Sequence, residues 1–270
     1  MGEALADVIS RGIVTREELF ITSKLWVSKA HVETAAAALA KTLADLRLAY
    51  VDLYLVHWPF RLRPTCTTLP PPMEDRLGYS PEEFLKVWRV LEGEVDAGRA
   101  RAIGVSNMTV KKLGALLAEA RVKPANNQVE LHPFMCQAEL LAYCAAHGIT
   151  VTAFSPLGSP ARPARMQTES DPAPMHDESV KAVAAAHGKN AAQVLIRWAI
   201  QRGTICIPKS VTPARIVENA AVFDFELTPE EMAKISGLDA GYRLNKGMPW
   251  LLEGQVWQDN WDEPRPSVSA

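Results

Sequence analysis

The sequence predicts an α/β fold of the (β/α)8 barrel type, and three observations carry that prediction. Six short β-rich runs alternate with amphipathic stretches along the 270 residues, the pattern of parallel βα units whose strands are covered on both faces. No GxGxxG follows any of these runs, so the dinucleotide fingerprint of a doubly wound sheet is missing. An eight-unit barrel spends roughly 30 residues per unit, and this chain has six strands, two long loops and an irregular tail. Two units are therefore expected to be unrepresented, and the chain opens on a helix-like segment, Gly2–Arg11, with no strand before it.

The expected strands are Leu19–Lys24 (LFITSK), Val51–His57 (VDLYLVH), Ala102–Ser106 (AIGVS), Asn127–Leu131 (NQVEL), Thr150–Phe154 (TVTAF) and Thr204–Ile207 (TICI). Helical periodicity fills 31–46, 81–97, 109–120, 137–147, 178–201 and 212–221, with a short helix at 229–236. Two helix starts are punctuated: Ser80-Pro81-Glu82-Glu83 and Thr228-Pro229-Glu230-Glu231 each combine a capping box with proline at the first helical position. The proline-rich stretches 60–80 and 156–177 show no periodicity and are expected as loops, of a length that usually serves a site. The tail from Gly241 carries Trp250, Trp257 and Trp261 and is apolar enough to pack on something. With no linker or repeat, residues 1–270 are expected to form a single domain.

Lys+Arg 29 against Asp+Glu 31 leaves a formal charge of -2, and 48% hydrophobic residues argue for a packed core. That balance lacks the net field of a protein that grips nucleic acid or an anionic membrane. No apolar run approaches the roughly 18 residues of a membrane helix, and MGEALADVISRGIV has no basic-then-apolar leader. Cys66, Cys136, Cys144 and Cys206 are scattered, without CxxC or zinc-ligand spacing, so they are expected to act as small hydrophobes. No metal is expected, and a reducing cytoplasmic address is the default.

In a barrel the reactive groups gather at the C-terminal ends of the strands. Lys24 ends LFITSK and His57 ends VDLYLVH, and Trp26 and Trp58 follow to supply an apolar wall. A strand-end lysine can be a plain solvated charge and a lone histidine a structural one. Their joint occurrence on consecutive strands favours a site. His31, His147, His176 and His187 fall in or beside polar helical stretches and are expected at the surface, while His132 in ELHPF has no evident chemical role. Trp88 and Trp198 are expected as helix faces against the barrel.

Six segments in order carry a resemblance: ITSKLW (21–26), LxxLxLxYVDLYLVHWP ending at Pro59, AIGVSN (102–107), NQVELHP (127–133), FSPLGSP (154–160) and IPKSVTPARIVENAAVFDFEL (207–227). The chain resembles the aldo-keto reductases, (α/β)8 barrels that use NADPH to reduce aldehydes and ketones. The resemblance implies a catalytic tetrad of Asp, Tyr, Lys and His, in which Lys24 and His57 match the last two. The lysine lowers the pKa of the tyrosine, the histidine orients the substrate carbonyl, and Trp26, His57 and Trp58 line the substrate pocket. The Asp and Tyr belong to a segment like DxAxxYxNE that precedes the helix matched by GEALADVIS, and it has no counterpart in these residues. None of Tyr50, Tyr54, Tyr79, Tyr143 and Tyr242 has the required context, and Tyr50 and Tyr54 are expected in the core or barrel wall.

For the cofactor, the resemblance implies that Ser106, Asn107 and Gln128 hold the nicotinamide carboxamide and that Phe154 stacks on the ring. Ser155, Leu157 and Ser159 match the loop over the pyrophosphate. Lys209, Ser210, Val211, Thr212, Arg215, Glu218 and Asn219 match the motif at the adenosine end. Two cations there suit a 2′-phosphate, which selects NADP(H) over NAD. The implied partner is a small carbonyl substrate, and the implied state a monomer. The alternative is a nucleotide-binding remnant that reduces weakly or not at all. Loops 60–80 and 156–177 and the tail after 241 would set substrate choice.

Overall fold

The structure, a computed structural model, describes residues 1–265, with the backbone alone at Arg165. The chain gathers into two compact units, Met1–Asn127 with the tail from Gly247, and Gln128–Lys246.

The first unit runs α1 (Gly2–Ser10), β1 (Thr22–Leu25), α2 (Ala35–Leu46), β2 (Val51–Val56), β3 (Arg61–Leu62), β4 (Arg76–Gly78), α3 (Pro81–Asp96), β5 (Ala100–Ser106) and α4 (Val110–Glu119). Strands β1, β2 and β5 pair in parallel in that order, with Lys24 opposite Leu55 and Leu55 opposite Gly104. All six residues of β2, VDLYLV, are buried, as a strand covered on both faces requires. Gly104 is needed where it stands, because a Cβ there would lie 2.6 Å from the Asn126 carbonyl oxygen and 2.7 Å from Leu55. Helix α3 buries Phe84, Val87, Trp88 and Leu91, a 3.6-residue stripe, and the Trp88 indole donates to the Val122 carbonyl at 2.9 Å.

Strand β1 begins later than LFITSK suggests. The Ile21 N–H donates to the Asp52 carboxylate (2.8 Å), so a side chain takes the place of a ladder partner. Asp52, 3% exposed, also pairs with Arg16 (2.8 Å) and Arg101 (3.0 Å), whose guanidiniums lie 3.9 and 4.1 Å from the Tyr50 ring centroid. The stretch 60–80 is not a plain loop: β3 and β4 pair as a small antiparallel hairpin, closed by a 3-10 turn at Met73–Asp75. His31 is buried rather than at the surface, because its Nε2 bonds the Leu62 carbonyl of that hairpin at 2.7 Å. Ser80 accepts from the Glu83 N–H, yet the Glu83 carboxylate turns away to Lys86 and Arg61, so only half of the expected capping box forms.

Strand β6 (Asn126–Glu130) carries the chain into the second unit, which continues with α5 (Ala138–Ala146), β7 (Thr150–Phe154), α6 (Glu178–Ala186), α7 (Ala191–Gln201), β8 (Ile205–Cys206), α8 (Pro213–Ala220) and α9 (Pro229–Ser236). Strands β7 and β8 are parallel, with Thr152 opposite Ile205. The expected helix 178–201 is two helices. Gly188, at φ +60°, ends α6, and Asn190 starts α7 with a complete capping box to Gln193. Thr204 bonds back to the Ala199 carbonyl through N–H and hydroxyl, which leaves β8 shorter than TICI. Val180, Val183, Val194, Leu195, Trp198, Leu227 and Ile235 form the core of this unit, and the Trp198 indole donates to Ser236 Oγ at 3.0 Å.

Glu130 is buried beside His132, and its carboxylate accepts from His132 Nε2 (3.0 Å) and from the N–H groups of Leu244 and Asn245 (both 2.7 Å). That gives His132 a role the sequence did not disclose: it helps satisfy an internal carboxylate that pins the chain before the tail. His147 and His176 are exposed, and His187 is half-buried against Glu231 at 2.9 Å.

Candidate active site

In the first unit, Lys24 in β1 and His57 just beyond β2 stand on neighbouring strands, and the His57 N–H donates to the Leu25 carbonyl at 3.1 Å. Burial lowers the Lys24 pKa. Burial first, and the Lys24 charge second, push His57 down to about 4, so its imidazole is neutral at pH 7. The Trp26 ring meets His57 edge-on, with centroids 5.1 Å apart. Trp58, 6% exposed, joins Phe60, Trp250 and Trp261 in an apolar cluster. Of the tail tryptophans, Trp250 and Trp261 are buried and Trp257 is partly so.

Ser106 ends β5 and Asn107 follows it. Asn107 has φ +60°, a left-handed conformation that asparagine tolerates, and donates from Nδ2 to the His57 carbonyl (3.0 Å) and to Ser106 Oγ (3.2 Å). Its Oδ1 is buried and has no hydrogen-bond partner among the described residues. An acceptor held this way beside a neutral histidine suits a ligand that brings an N–H donor.

In the second unit, Gln128 is buried in β6 and Phe154 ends β7 half-buried. Beyond Phe154 opens a cavity of about 700 Å³. Ser155, Leu157 and Ser159 line one part, and Lys209, Ser210, Val211, Thr212, Arg215, Glu218 and Asn219 another. Gln128 and Phe154 are outside that lining. Lys209 and Arg215 are exposed and have no ion pair among the described residues. Two free cations beside the N-terminus of the eight-residue α8 make an electropositive pocket.

The strap 155–171 is shaped by backbone that side chains rarely adopt, with Ser155 at φ +53°, Gly158 at +78° and Ser159 at +49°. A Cβ on Gly158 would lie 2.4 Å from the Pro174 ring. Arg162 donates to the carbonyls of Gly158 (3.1 Å) and Ser159 (3.3 Å) and pairs with Asp171, which also accepts from the Tyr242 hydroxyl at 2.8 Å. Burial alone would raise Asp171; the Thr168 N–H, the Tyr242 and Thr168 hydroxyls and Arg162 outweigh it and hold the carboxyl at about 2. Met175, His176 and Asn190 also line the cavity. They were not readable as site residues, since a proline-rich loop and a helix cap carry no periodic or motif signal that points inward.

Among the described residues no group of His, Cys, Asp or Glu is placed to hold a metal ion, and no helix is long and apolar enough to cross a membrane.

Residues 1–240 match the model of the Aldo/keto reductase family. A Synechocystis aldo/keto reductase is 46% identical over 265 residues, covering 97% of this chain and 81% of its own length. Aldo-keto reductase family 1 member A1 of Cricetulus griseus is 45% identical over 244 residues, covering 90% of this chain and 75% of its own. Among solved structures, a Bombyx mori aldo-keto reductase in complex with NADP superposes with a TM-score of 0.80 at 37% identity, over 90% of this chain and 75% of that one. The fold is accordingly the (β/α)8 type of that structure, with six parallel strands in this chain. Lysine and histidine on neighbouring strands, the AIGVSN strand end, the SPLGSP turn and the match over residues 1–240 converge, and the chain belongs to the aldo/keto reductase family.

Proposed function

We propose that the protein reduces an aldehyde or ketone to an alcohol with NADPH. The observation that carries this reading is the pair formed by half-buried Lys24 and neutral His57 against Trp26, with Asn107 Oδ1, unpartnered among the described residues, beside it. When bound, the nicotinamide supplies the hydride. The residues present fit the cofactor. In the first unit Asn107 offers a buried acceptor for a carboxamide N–H, with Ser106 next to it; in the second, the family resemblance assigns Gln128 to the carboxamide and Phe154 to the stacking face. Ser155, Leu157 and Ser159 would cover the pyrophosphate. Lys209 and Arg215 give a 2′-phosphate two cations, with Ser210, Val211, Thr212, Glu218 and Asn219 around the adenosine.

His57 donates a hydrogen bond to the carbonyl oxygen and fixes its direction, which a neutral imidazole does without adding a second charge beside Lys24. Lys24 supplies the positive field that favours negative charge developing on that oxygen, which becomes the hydroxyl by taking up a proton from solvent. Trp26 and Trp58 keep the carbonyl's apolar substituent out of water. The protein is proposed to work as a monomer in the cytoplasm, where its free cysteines stay reduced.

A second reading, nucleotide binding with weak or no turnover, is favoured by the placement of the tyrosines. Tyr54, 1% exposed, is hydrogen-bonded to Thr42, and burial pushes it up to about 12. Tyr50 is held between two arginines, and Tyr79 packs on Phe84. None of these three is placed as a proton donor beside Lys24, and removal of a general acid commonly costs about 10²–10⁴ in rate.

One pair of measurements separates the readings: NADPH binding, followed by quenching of tryptophan fluorescence, and NADPH oxidation with a panel of aldehydes and ketones. Binding with oxidation is the expected result. Binding with no oxidation of any substrate leaves the second reading, and no binding removes both.

A further inference from the structure

The tail from Gly247 meets the rest of the first unit in two ways. One is apolar. Trp250 and Trp261 stand 5.4 and 5.8 Å from Trp58, and Trp250 is 6.1 Å from Trp26, the ring that abuts His57. The other is polar and lies at the end of the short helix α10 (Trp257–Trp261). Lys112 of α4, with a side chain only 4% exposed, donates from Nζ to the Asn260 carbonyl (3.0 Å) and to the Asp262 carboxylate (2.5 Å). The Thr109 hydroxyl donates to the same carboxylate oxygen at 2.5 Å.

Asn260 connects the two. Its side-chain amide donates to the Gly247 carbonyl (2.9 Å), and that carbonyl also accepts the Trp250 N–H (3.0 Å). Gly247 is at φ +71°, and a Cβ there would lie 3.0 Å from the Asn260 amide, with Trp250 and Trp58 close behind. From Lys112 to Trp250 the path is therefore one residue and one carbonyl long.

A buried ammonium costs desolvation that an apolar residue of similar size would avoid; here the cost is offset by a carboxylate and a carbonyl of the tail, whose positions the ammonium fixes. Nothing in the proposed reaction uses Lys112. Next to the aromatic cluster lies a cavity of about 310 Å³, bordered by Phe60, Tyr79, Lys112, Leu252 and Asn260. A close-packed wall cannot shift, whereas one with a void beside it can.

We propose that Lys112 is a positioning residue: through Asp262 and Asn260 it holds Trp250 against Trp26 and Trp58, and so sets the bulk of the carbonyl substrate admitted beside His57. The substrate class rests on the reductase reading; the latch itself does not.

Two variants test it. Asp262→Asn keeps the backbone, because Asp262 is at φ +56° and asparagine tolerates that region. Lys112→Met combined with Asp262→Asn removes both charges and keeps the experiment decisive if a single change leaves an ammonium stranded. In both, the backbone amides of Trp250 and Leu251 should exchange hydrogen about tenfold faster than in the parent. The ratio of kcat/KM for a bulky aromatic ketone to that for propanal should shift about fivefold, by the same amount in the two variants. A merely structural role would lower both substrates alike and leave the ratio unmoved. An unchanged ratio with faster exchange, or unchanged exchange, overturns the proposal. Should the parent protein oxidise NADPH with neither carbonyl, the reductase reading fails by that result alone. The latch is then decided by the ratio of dissociation constants for the same two carbonyls from tryptophan quenching: a shifted ratio supports it, an equal one refutes it.

Discussion

His57 couples the site to acidity. Its folded-state pKa of about 4 lies below the ordinary 6.5, so between those values the unfolded chain takes up a proton that the folded protein refuses. The stabilisation is complete above about pH 6.5 and is lost as pH falls towards 4, on the order of 3 kcal/mol in all. His57→Gln should flatten that window, which urea unfolding at several pH values between 4 and 7 would show. A parent-like slope in the variant would mean that the histidine titrates normally. Lys209→Ala and Arg215→Ala address the cofactor. Each should reduce the preference for NADPH over NADH about tenfold, the effect of removing one charge-assisted contact to a phosphate. Equal dissociation-constant ratios in parent and variants would sink the 2′-phosphate assignment. At this scale the sequence was informative where a residue ends a strand or follows a motif, as Lys24, His57 and Asn107 do. It was silent on Glu130 and Asp52, whose roles depend on backbone groups and arginines distant in the chain.

Capping separates two helices that look alike in sequence. Thr228 accepts from the Glu231 N–H while the Glu231 carboxylate returns to the Thr228 N–H, whereas Glu83 spends its carboxylate on Lys86 and Arg61. Thr228→Ala should therefore cost about 1 kcal/mol and Ser80→Ala less, as read from the midpoints of denaturant unfolding. Equal losses would show that the reciprocal bond contributes nothing. Element type was legible nearly throughout, because buried parallel strands and amphipathic helices differ in period. Boundaries were less so. The break between α6 and α7 was written in Gly188 and Asn190, but a continuous apolar stripe on both sides masked it. The β3–β4 hairpin could not be foreseen, since two- and three-residue strands show no alternation.

For the molecule as a whole, ligand linkage gives a direct check. NADPH at a hundredfold excess over its dissociation constant should raise the unfolding free energy by about 2.7 kcal/mol, and NADH at the same concentration by less. Coincident melting curves with and without NADPH would remove the cofactor assignment. The barrel was predictable from the order of elements and the motifs in register. The tail's packing was not, because tryptophans in irregular chain have no period to follow; of the three the tail carries, the structure buries Trp250 and Trp261 and leaves Trp257 partly covered. The knot at Asp52 has a consequence for how this chain can vary. One carboxylate serves two guanidiniums and a backbone N–H, and those guanidiniums flank a single tyrosine ring. Asp52→Asn alone strands two facing cations. Loss of Arg16 together with Asp52, as in Arg16→Met with Asp52→Asn, removes the repulsion along with the attraction and should be less damaging than Asp52→Asn by itself. Change at this position is therefore better tolerated in company with Arg16 than alone, so a stepwise route would lose an arginine before it lost the carboxylate.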